Sequence, residues 1–409
     1  MTNDLLDILA PQAVDDYELL TVLERHYKSA GVGGRDQLVY PSTPEYSLKV
    51  GWKDGRVVRI EPGPGFKVDQ VDALKSAIRE QLVESPGTKV ATSVLFSSPR
   101  RVSGYFRTGQ LQIMPASSLA PRPAETHADH PFHLQSVIRQ NVNGFLTSQR
   151  WSRLTLERAW MLDAILRTSV NAYGPRSQHL WTLREHDPEQ PPTGWHSHWT
   201  QEMYIDPGLP GLLDDFTPAS VPPIPEIPHD EYYGLDYLPG GDEVVLPDSL
   251  GQMLDTFERL GHGQRRRLMR AARWISAAND LWDHHVSSYY VALVAAIESL
   301  SSDDGAPRCP ECGQVRNVTK RFREFVERYV PKAPADEMSK ERLYGIRSQL
   351  AHGKVLFDID EAPWALLMLT PNWLEQREAF DALSRLVKRV VVGWLRSRDM
   401  EATPGEPSS

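Results

Sequence analysis

Apolar residues at the start of the chain recur with two different periods. Val14, Leu19, Leu20, Val22 and Leu23 mark a short helix within residues 13–30. Val71, Leu74, Ile78 and Leu82 mark a second over Val68–Val83, which stops before Pro86-Gly87. Between them, Val39–Tyr46 is extended and punctuated by prolines. Tyr46–Gly51 and Arg56–Ile60 alternate as strands around a turn carrying Asp54-Gly55, the pattern of a hairpin. Lys89–Ser97 and Val102–Met114 alternate again. The pattern predicts an α+β region over residues 1–120.

Pro115–Pro131 has the composition of a linker, and Phe132–Tyr173 carries helical spacing, strongest at Leu154, Leu156, Ala159, Trp160, Leu162, Ile165 and Leu166. Residues 174–247 are rich in Pro, Gly, Trp and Asp and predict extended segments and long loops. Residues 121–246 are therefore a mixed, loop-rich region, either separate or continuous with the N-terminal domain. From Pro247 the texture changes. Helical runs follow over 249–260, 263–282, 284–301, 318–330, 339–353 and 372–398. Pro247-Asp248-Ser249 and Pro371-Asn372 are helix starts, and Gly353 is a helix stop. Residues 247–400 thus predict an all-α domain of helical-bundle size, and 401–409 a disordered tail. No internal repeat is visible.

A chain of 409 residues is expected to hold two or three domains. With 40% hydrophobic and 24% charged residues it fits a soluble globular protein. No apolar run reaches the ~20 residues that span a bilayer. The acidic start, Met1-Thr2-Asn3-Asp4, lacks the basic stretch of a signal peptide, so no membrane partner and a cytoplasmic location are expected. The net charge of −9 comes entirely from the first 245 residues, with 22 basic and 31 acidic side chains; the remainder holds 23 of each. A nucleic-acid site would therefore be a local patch in the C-terminal part.

The fullest chemistry lies in Leu343–Gly353, where Arg347 and His352 stand five residues apart. A guanidinium holds a phosphate by two parallel hydrogen bonds, and an imidazole moves a proton near neutral pH. On a regular helix five residues turn through ~500°, so the two side chains sit ~140° apart. They meet around one phosphate only if the helix end distorts at Gly353 or a second copy of the chain supplies the other half. The negative end of the helix dipole favours an imidazolium at His352. The plainer reading is an exposed arginine and a capping histidine.

Other motifs are less complete. Cys309-Pro-Glu-Cys312-Gly313 is half a zinc knuckle, and with only two cysteines the chain has no disulfide framework. The missing ligands of a structural zinc would be histidines such as His284 or His285, or the same loop of a second copy; the alternative is two reduced cysteines in a loop. Arg265, Arg266, Arg267, Arg270 and Arg273 share one helix, and Lys320, Arg321 and Arg323 open another. They are either RNA-phosphate contacts or solvated helix faces. His196 and His198 on one strand, and His127, His130 and His133, lack carboxylates at metal-site spacing and read as surface-loop residues. Gly31-Val-Gly-Gly34 has neither a leading strand nor a following Gly-Lys-Ser/Thr, so it is not a phosphate loop.

Tyr344-x-x-Arg347-Ser348-x-x-x-His352-Gly353 resembles the signature of HEPN domains, helical ribonuclease folds with an Arg, four to six intervening residues and a His. The helix Tyr290–Ser301 resembles the glutamate-bearing helix of the ApeA-like HEPN branch. The resemblance covers about residues 248–400. It implies two protomers, or two such domains, pairing so that both Arg/His sets line one cleft. It implies Arg347 as phosphate ligand, His352 as general acid/base, Ser348 as a supporting donor, Glu298 as an orienter of Arg347 or His352, and Tyr344 as part of the site. Glu298 also stands out unaided: a carboxylate flanked by Ile297 and Leu300 in an apolar helix needs a partner. The implied activity is RNA cleavage, tRNA among the candidates, with no cofactor for the chemistry. ApeA-like proteins are associated with abortive infection against phage, which implies a regulatory N-terminal region and a phage-derived trigger. Two other readings stand beside it: the toxin of a toxin–antitoxin pair, and a HEPN module that binds RNA, a nucleotide or a protein without cutting.

Overall fold

The computed structural model describes residues 16–27, 31–34, 37–40, 47–53, 56–83, 87–116, 130–141, 143–172, 179–184, 195–200, 211–234, 238–282, 284–301, 318–330, 340–364 and 370–402. In chain order the elements begin with α1 (Asp16–Tyr27), β1 (Gly31–Gly34), β2 (Gln37–Tyr40), β3 (Leu48–Lys53), β4 (Arg56–Pro62), α2 (Val68–Val83), β5 (Thr88–Ser98), β6 (Phe106–Arg107) and β7 (Leu111–Pro115). There follow β8 (His130–Arg139), α3 (Gly144–Ile165), β9 (Ser169–Asn171), β10 (His179–Arg184), β11 (Trp195–Thr200), β12 (Leu212–Leu213), β13 (Glu226–Ile227), α4 (His229–Gly234) and β14 (Leu246–Pro247). The helical part comprises α5 (Leu250–Arg259), α6 (His262–Trp282), α7 (Val286–Leu300), α8 (Val318–Tyr329), α9 (Lys340–Ala351), α10 (Asp358–Glu361) and α11 (Pro371–Ala402). A mixed α/β N-terminal region and a helical C-terminal region are thus both present. Among the described residues no helix is long and apolar enough to cross a membrane.

The chain forms two compact units that do not follow the boundaries at 120 and 246 expected from composition. The first comprises residues 1–91, 137–154 and 212–215. Its antiparallel sheet runs β1-β2-β3-β4. Leu48 and Val50 of β3 and Val57 and Ile60 of β4 turn into a core closed by Leu19, Val22 and Leu23 of α1 and by Val71, Leu74, Ile78 and Leu82 of α2. These are the residues whose spacing marked the helices. Glu18 is buried there, and Arg150 forks onto it, Nε to Oε1 at 3.0 Å and Nη2 to Oε2 at 2.6 Å. The Gly31–Gly34 segment is a strand edge paired to β2, in keeping with its rejection as a phosphate loop.

The second unit comprises residues 92–136, 155–211 and 216–409. Its strands lie in the order β5-β8-β7-β6, with β9 on the end of β5. β8 corrects the expectation of a helix beginning at Phe132. A central strand is covered on both faces, so Phe132, His133, Leu134, Gln135 and Ser136 are all buried and period-two alternation vanishes. The helix begins only at Gly144. His133 is accordingly a buried strand residue, not a surface-loop one. Leu95, Leu111, Ile113, Phe132 and Leu134 from these strands belong to the same hydrophobic core as α5–α9 and α11. The helices from Leu250 onward therefore share a core with the strands and do not seal off one of their own. Helices α5 to α9 and α11 fall where their spacing put them, and α10 is one further turn. Ser249 is the N-cap position of α5, but its hydroxyl makes no cap bond and instead meets His229 Nδ1 at 2.5 Å. Gly393 of α11 lets α8 approach closely: a Cβ there would stand 2.5 Å from the Tyr329 carbonyl oxygen.

Candidate active site

α7 is the apolar spine of the site, with ten buried residues between Val286 and Leu300. Its N-terminus is fixed by Asp360 of α10, which accepts from the Val286 and Ser287 N–H groups at 3.0 and 2.6 Å. A carboxylate at that position complements the positive end of the helix. His285 is the N-cap: its Nδ1 accepts from the Ser288 N–H at 3.1 Å. The Tyr290 hydroxyl donates to the Leu343 carbonyl at 2.8 Å and so ties α7 to α9.

Glu298 lies in the last turn of α7, where the helix dipole opposes a negative charge. α9 supplies the compensation. The Tyr344 hydroxyl donates to Glu298 Oε1 at 3.0 Å, and Arg347 Nη2 donates to Oε2 at 3.0 Å. Tyr344 and Arg347 are three residues apart and share a helix face, so one carboxylate meets both. The guanidinium also lies over the Tyr344 ring, 5.6 Å from its centroid, and Phe322 of α8 packs against that ring at 5.0 Å. The Glu298 and Arg347 side chains keep 29% and 26% of their surface exposed, so the pair sits at the edge of the core. Burial, the Glu298 charge and the bond to Glu298 push the Tyr344 phenol up to about 12, with Arg347 opposing. Tyr344 is therefore a hydrogen-bond donor throughout the neutral range.

His352 sits one turn further on and is exposed. The helix ends there regularly. Gly353 adopts φ +64°, its N–H bonds the Leu350 carbonyl at 3.0 Å, and the Lys354 N–H bonds the Gln349 carbonyl at 3.0 Å. This paired left-handed termination satisfies the last carbonyls without distorting the helix. Of the two routes that would bring Arg347 and His352 around one phosphate, distortion of the helix end is not taken. Among the described residues the His352 ring makes no hydrogen bond or ion pair, and nothing links it to Glu298, Tyr344 or Arg347. Ser348 is half-buried, and its carbonyl accepts from the His352 N–H at 3.2 Å.

Glu298 also lines a groove of about 540 Å³. Four arginines line it as well: Arg267 of α6, Arg321 and Arg328 of α8, and Arg398 of α11. Among the described residues Glu298 and Glu324 are the opposing carboxylates, and Phe322 and Trp394 provide aromatic surface. Arg398 is held in place by a 3.1 Å bond to the Tyr329 hydroxyl and by stacking over Trp394 at 5.1 Å.

The two basic runs are divided by the fold. Arg265 is turned inward, bonded to Glu157 at 2.7 Å and stacked on Phe257 at 4.1 Å. Arg273 lies over Trp160 at 4.9 Å, while Arg266 and Arg270 are exposed. Lys320 and Arg323 face Glu324 and Glu327 one turn along α8, at 3.7 and 3.9 Å. Of the residues expected to bind RNA, Arg267 and Arg321 line the groove, and Arg328 and Arg398 complete its arginines among the described residues. Arg321 and Arg328 are seven residues apart, a spacing that places both on one helix face and was legible in the sequence. No local signal singles out Arg398.

Cys309 and Cys312 lie outside the described residues. Among the described residues no three His, Cys, Asp or Glu side chains are grouped as a metal ion requires. No family model matches the chain, and comparison with curated proteins and with solved structures likewise finds no match.

Proposed function

We propose that the protein is an endoribonuclease of the HEPN type, with an active site completed by pairing of two copies. The observation that carries this reading is the single carboxylate of Glu298 holding both Tyr344 and Arg347 beside a groove with four arginines. Glu298 occupies one donor of Arg347 and fixes the guanidinium; a guanidinium carries five, so others remain for a phosphate. The arginine groove is suited to the backbone of an RNA strand, tRNA being one candidate.

In the reaction the ribose 2′-OH loses its proton and its oxygen bonds the adjacent phosphorus. The P–O5′ bond breaks and O5′ takes a proton. The products are a 2′,3′-cyclic phosphate and a 5′-hydroxyl. Arg347 neutralises charge on the crowded phosphorane. His352 moves a proton, an effect worth roughly 10²–10⁴-fold. Because the α9 terminus is regular and His352 is exposed, the imidazole is taken to reach a phosphate held by the partner copy. The expected setting is abortive infection or toxin action, with a separate trigger or antitoxin.

One observation favours a second reading, a module that binds RNA without cutting: within one chain nothing among the described residues joins His352 to the Glu298–Arg347 pair. The two part on one experiment. Purified protein is incubated with total tRNA in EDTA and the product ends are analysed. Fragments with cyclic phosphate ends that require Arg347 support the nuclease. Retention of intact tRNA, with and without a candidate trigger, supports the binding module.

A further inference from the structure

A stripe of side chains on α6 leads out of the Glu298 groove. Residues 262–279 hold five arginines and no carboxylate, in a chain whose net charge is −9. On a regular helix seven residues turn through ~700°, so Trp274 lies ~20° from Arg267, and Arg270 lies ~60° from it. The three therefore follow one line along α6, about 10 Å long. It borders the face that α6 buries through Leu268, Ala271, Ala272 and Ile275. Arg267 lines the groove, and Arg270 and Trp274 lie beyond its lining. The carboxylates of Glu157 and Glu258 meet Arg265, which points ~160° away from Arg267.

The two outer members of the stripe are accessible. Arg270 is exposed and, among the described residues, makes no hydrogen bond, ion pair or ring contact. Trp274 keeps 43% of its surface exposed, and among the described residues no other ring covers it. The other exposed tryptophans among these residues are placed differently. Trp282 is engaged edge-on by Tyr289 and Phe380, and Trp364 follows α10.

An indole beside a guanidinium matches the two halves of a nucleotide. The base stacks on the ring and the phosphate meets the cation. Only an unpaired base can do this, because a duplex keeps its bases stacked on one another and offers the stripe its phosphates alone. An acidic peptide would use the arginines and leave the indole without a partner. We propose that Trp274 is a stacking platform for one unpaired base of the bound RNA, with Arg270 and Arg267 taking the phosphates between that base and the groove. The proposal rests on the reading of the groove as an RNA site. It makes Trp274 a residue that selects RNA with an unpaired segment at that position.

Fluorescence anisotropy with labelled single-stranded and duplex RNA of equal length tests this, using the full-length His352→Ala protein so that binding is read apart from cleavage. Trp274→Ala should weaken single-stranded RNA by about tenfold, within the range of one base stack, and leave duplex RNA within about twofold. Trp274→Phe should restore most of the loss. Arg270→Gln should lower the slope of log affinity against log salt by about 0.7, the share of one phosphate contact on a single strand. Trp364→Ala should change nothing. Circular dichroism checks folding; should Trp274→Ala fail to fold, Trp274→Leu keeps the anchored bulk, removes the aromatic face and carries the same expectation. Equal losses for single-stranded and duplex RNA, no loss for either, or competition by poly-glutamate as strong as by unlabelled RNA overturns the proposal. Loss in Arg321→Gln with none in Trp274→Ala overturns the platform and leaves the groove reading standing. No RNA binding by the parent protein overturns both.

Discussion

Removing the Glu298 carboxylate tests how the site is held. Its partners are Arg347 Nη2 and the Tyr344 hydroxyl, each at 3.0 Å. Full charges about 4 Å apart attract by roughly 4 kcal/mol at an effective dielectric of 20. Both groups are more than a quarter exposed, so solvent and desolvation return much of this. The net coupling should lie near 1–2 kcal/mol, above a surface pair and below a fully buried one. A double-mutant cycle of Glu298→Gln and Arg347→Gln, read by urea unfolding with tryptophan fluorescence, measures it directly. Glu298→Gln keeps an acceptor for Tyr344 and isolates the charge, whereas Glu298→Ala loses both bonds and should cost about 1 kcal/mol more. On RNA, Glu298→Gln frees the guanidinium and should slow cleavage by about 10²-fold, the scale of a misplaced catalytic contact. A coupling indistinguishable from zero, with cleavage unchanged, would refute the account of Glu298 as the positioning residue.

Further expectations follow from other parts of the structure. Tyr344 has its pKa raised from 10.0 to about 12 in the folded state, so its contribution is fully present below pH 10 and is lost as pH rises through 12. Wild type should therefore lose stability relative to Tyr344→Phe across that window in alkaline unfolding curves, and parallel curves would contradict the assignment. Gly393→Ala drives a methyl against the Tyr329 backbone oxygen; despite a helix-propensity gain of about 1 kcal/mol it should destabilise by about 1–2 kcal/mol in urea, and a stabilised variant would refute the contact. Arg150→Ala leaves the buried Glu18 carboxylate with only the longer contact to the half-exposed Arg153 at 3.5 Å and should cost about 3 kcal/mol, measured by chemical unfolding. A cost within 1 kcal/mol of zero would show that the fork carries little.

Much of this was legible in the sequence because period and burial agree wherever an element has one wet face. Val71, Leu74, Ile78 and Leu82 marked α2 and are the residues it buries. Glu298 announced itself as a carboxylate in an apolar helix, and its partners proved to be Tyr344 and Arg347. What failed was β8, whose residues are buried on both faces and so lose alternation, and with it the location of His133. The linear domain boundaries also gave way. Core sharing between Leu134 and the C-terminal helices is a non-local fact that spacing does not encode. The arginine groove is of the same kind, since it gathers α6, α8 and α11 from separate stretches. Arg265 and Arg321 are both half-buried, and only their tertiary partners separate Arg265, stacked on Phe257 and bonded to Glu157, from Arg321, which lines the groove.

The central claim rests on His352, which is exposed and whose ring makes no hydrogen bond or ion pair among the described residues. His352→Ala should therefore leave stability within about 0.5 kcal/mol of wild type. The decisive measurement is the rate at which wild type and this variant generate 2′,3′-cyclic phosphate ends from tRNA in EDTA. The account predicts cleavage by wild type and a fall of at least about 10²-fold in a fully folded His352→Ala protein. A folded variant that cuts at the wild-type rate would contradict it.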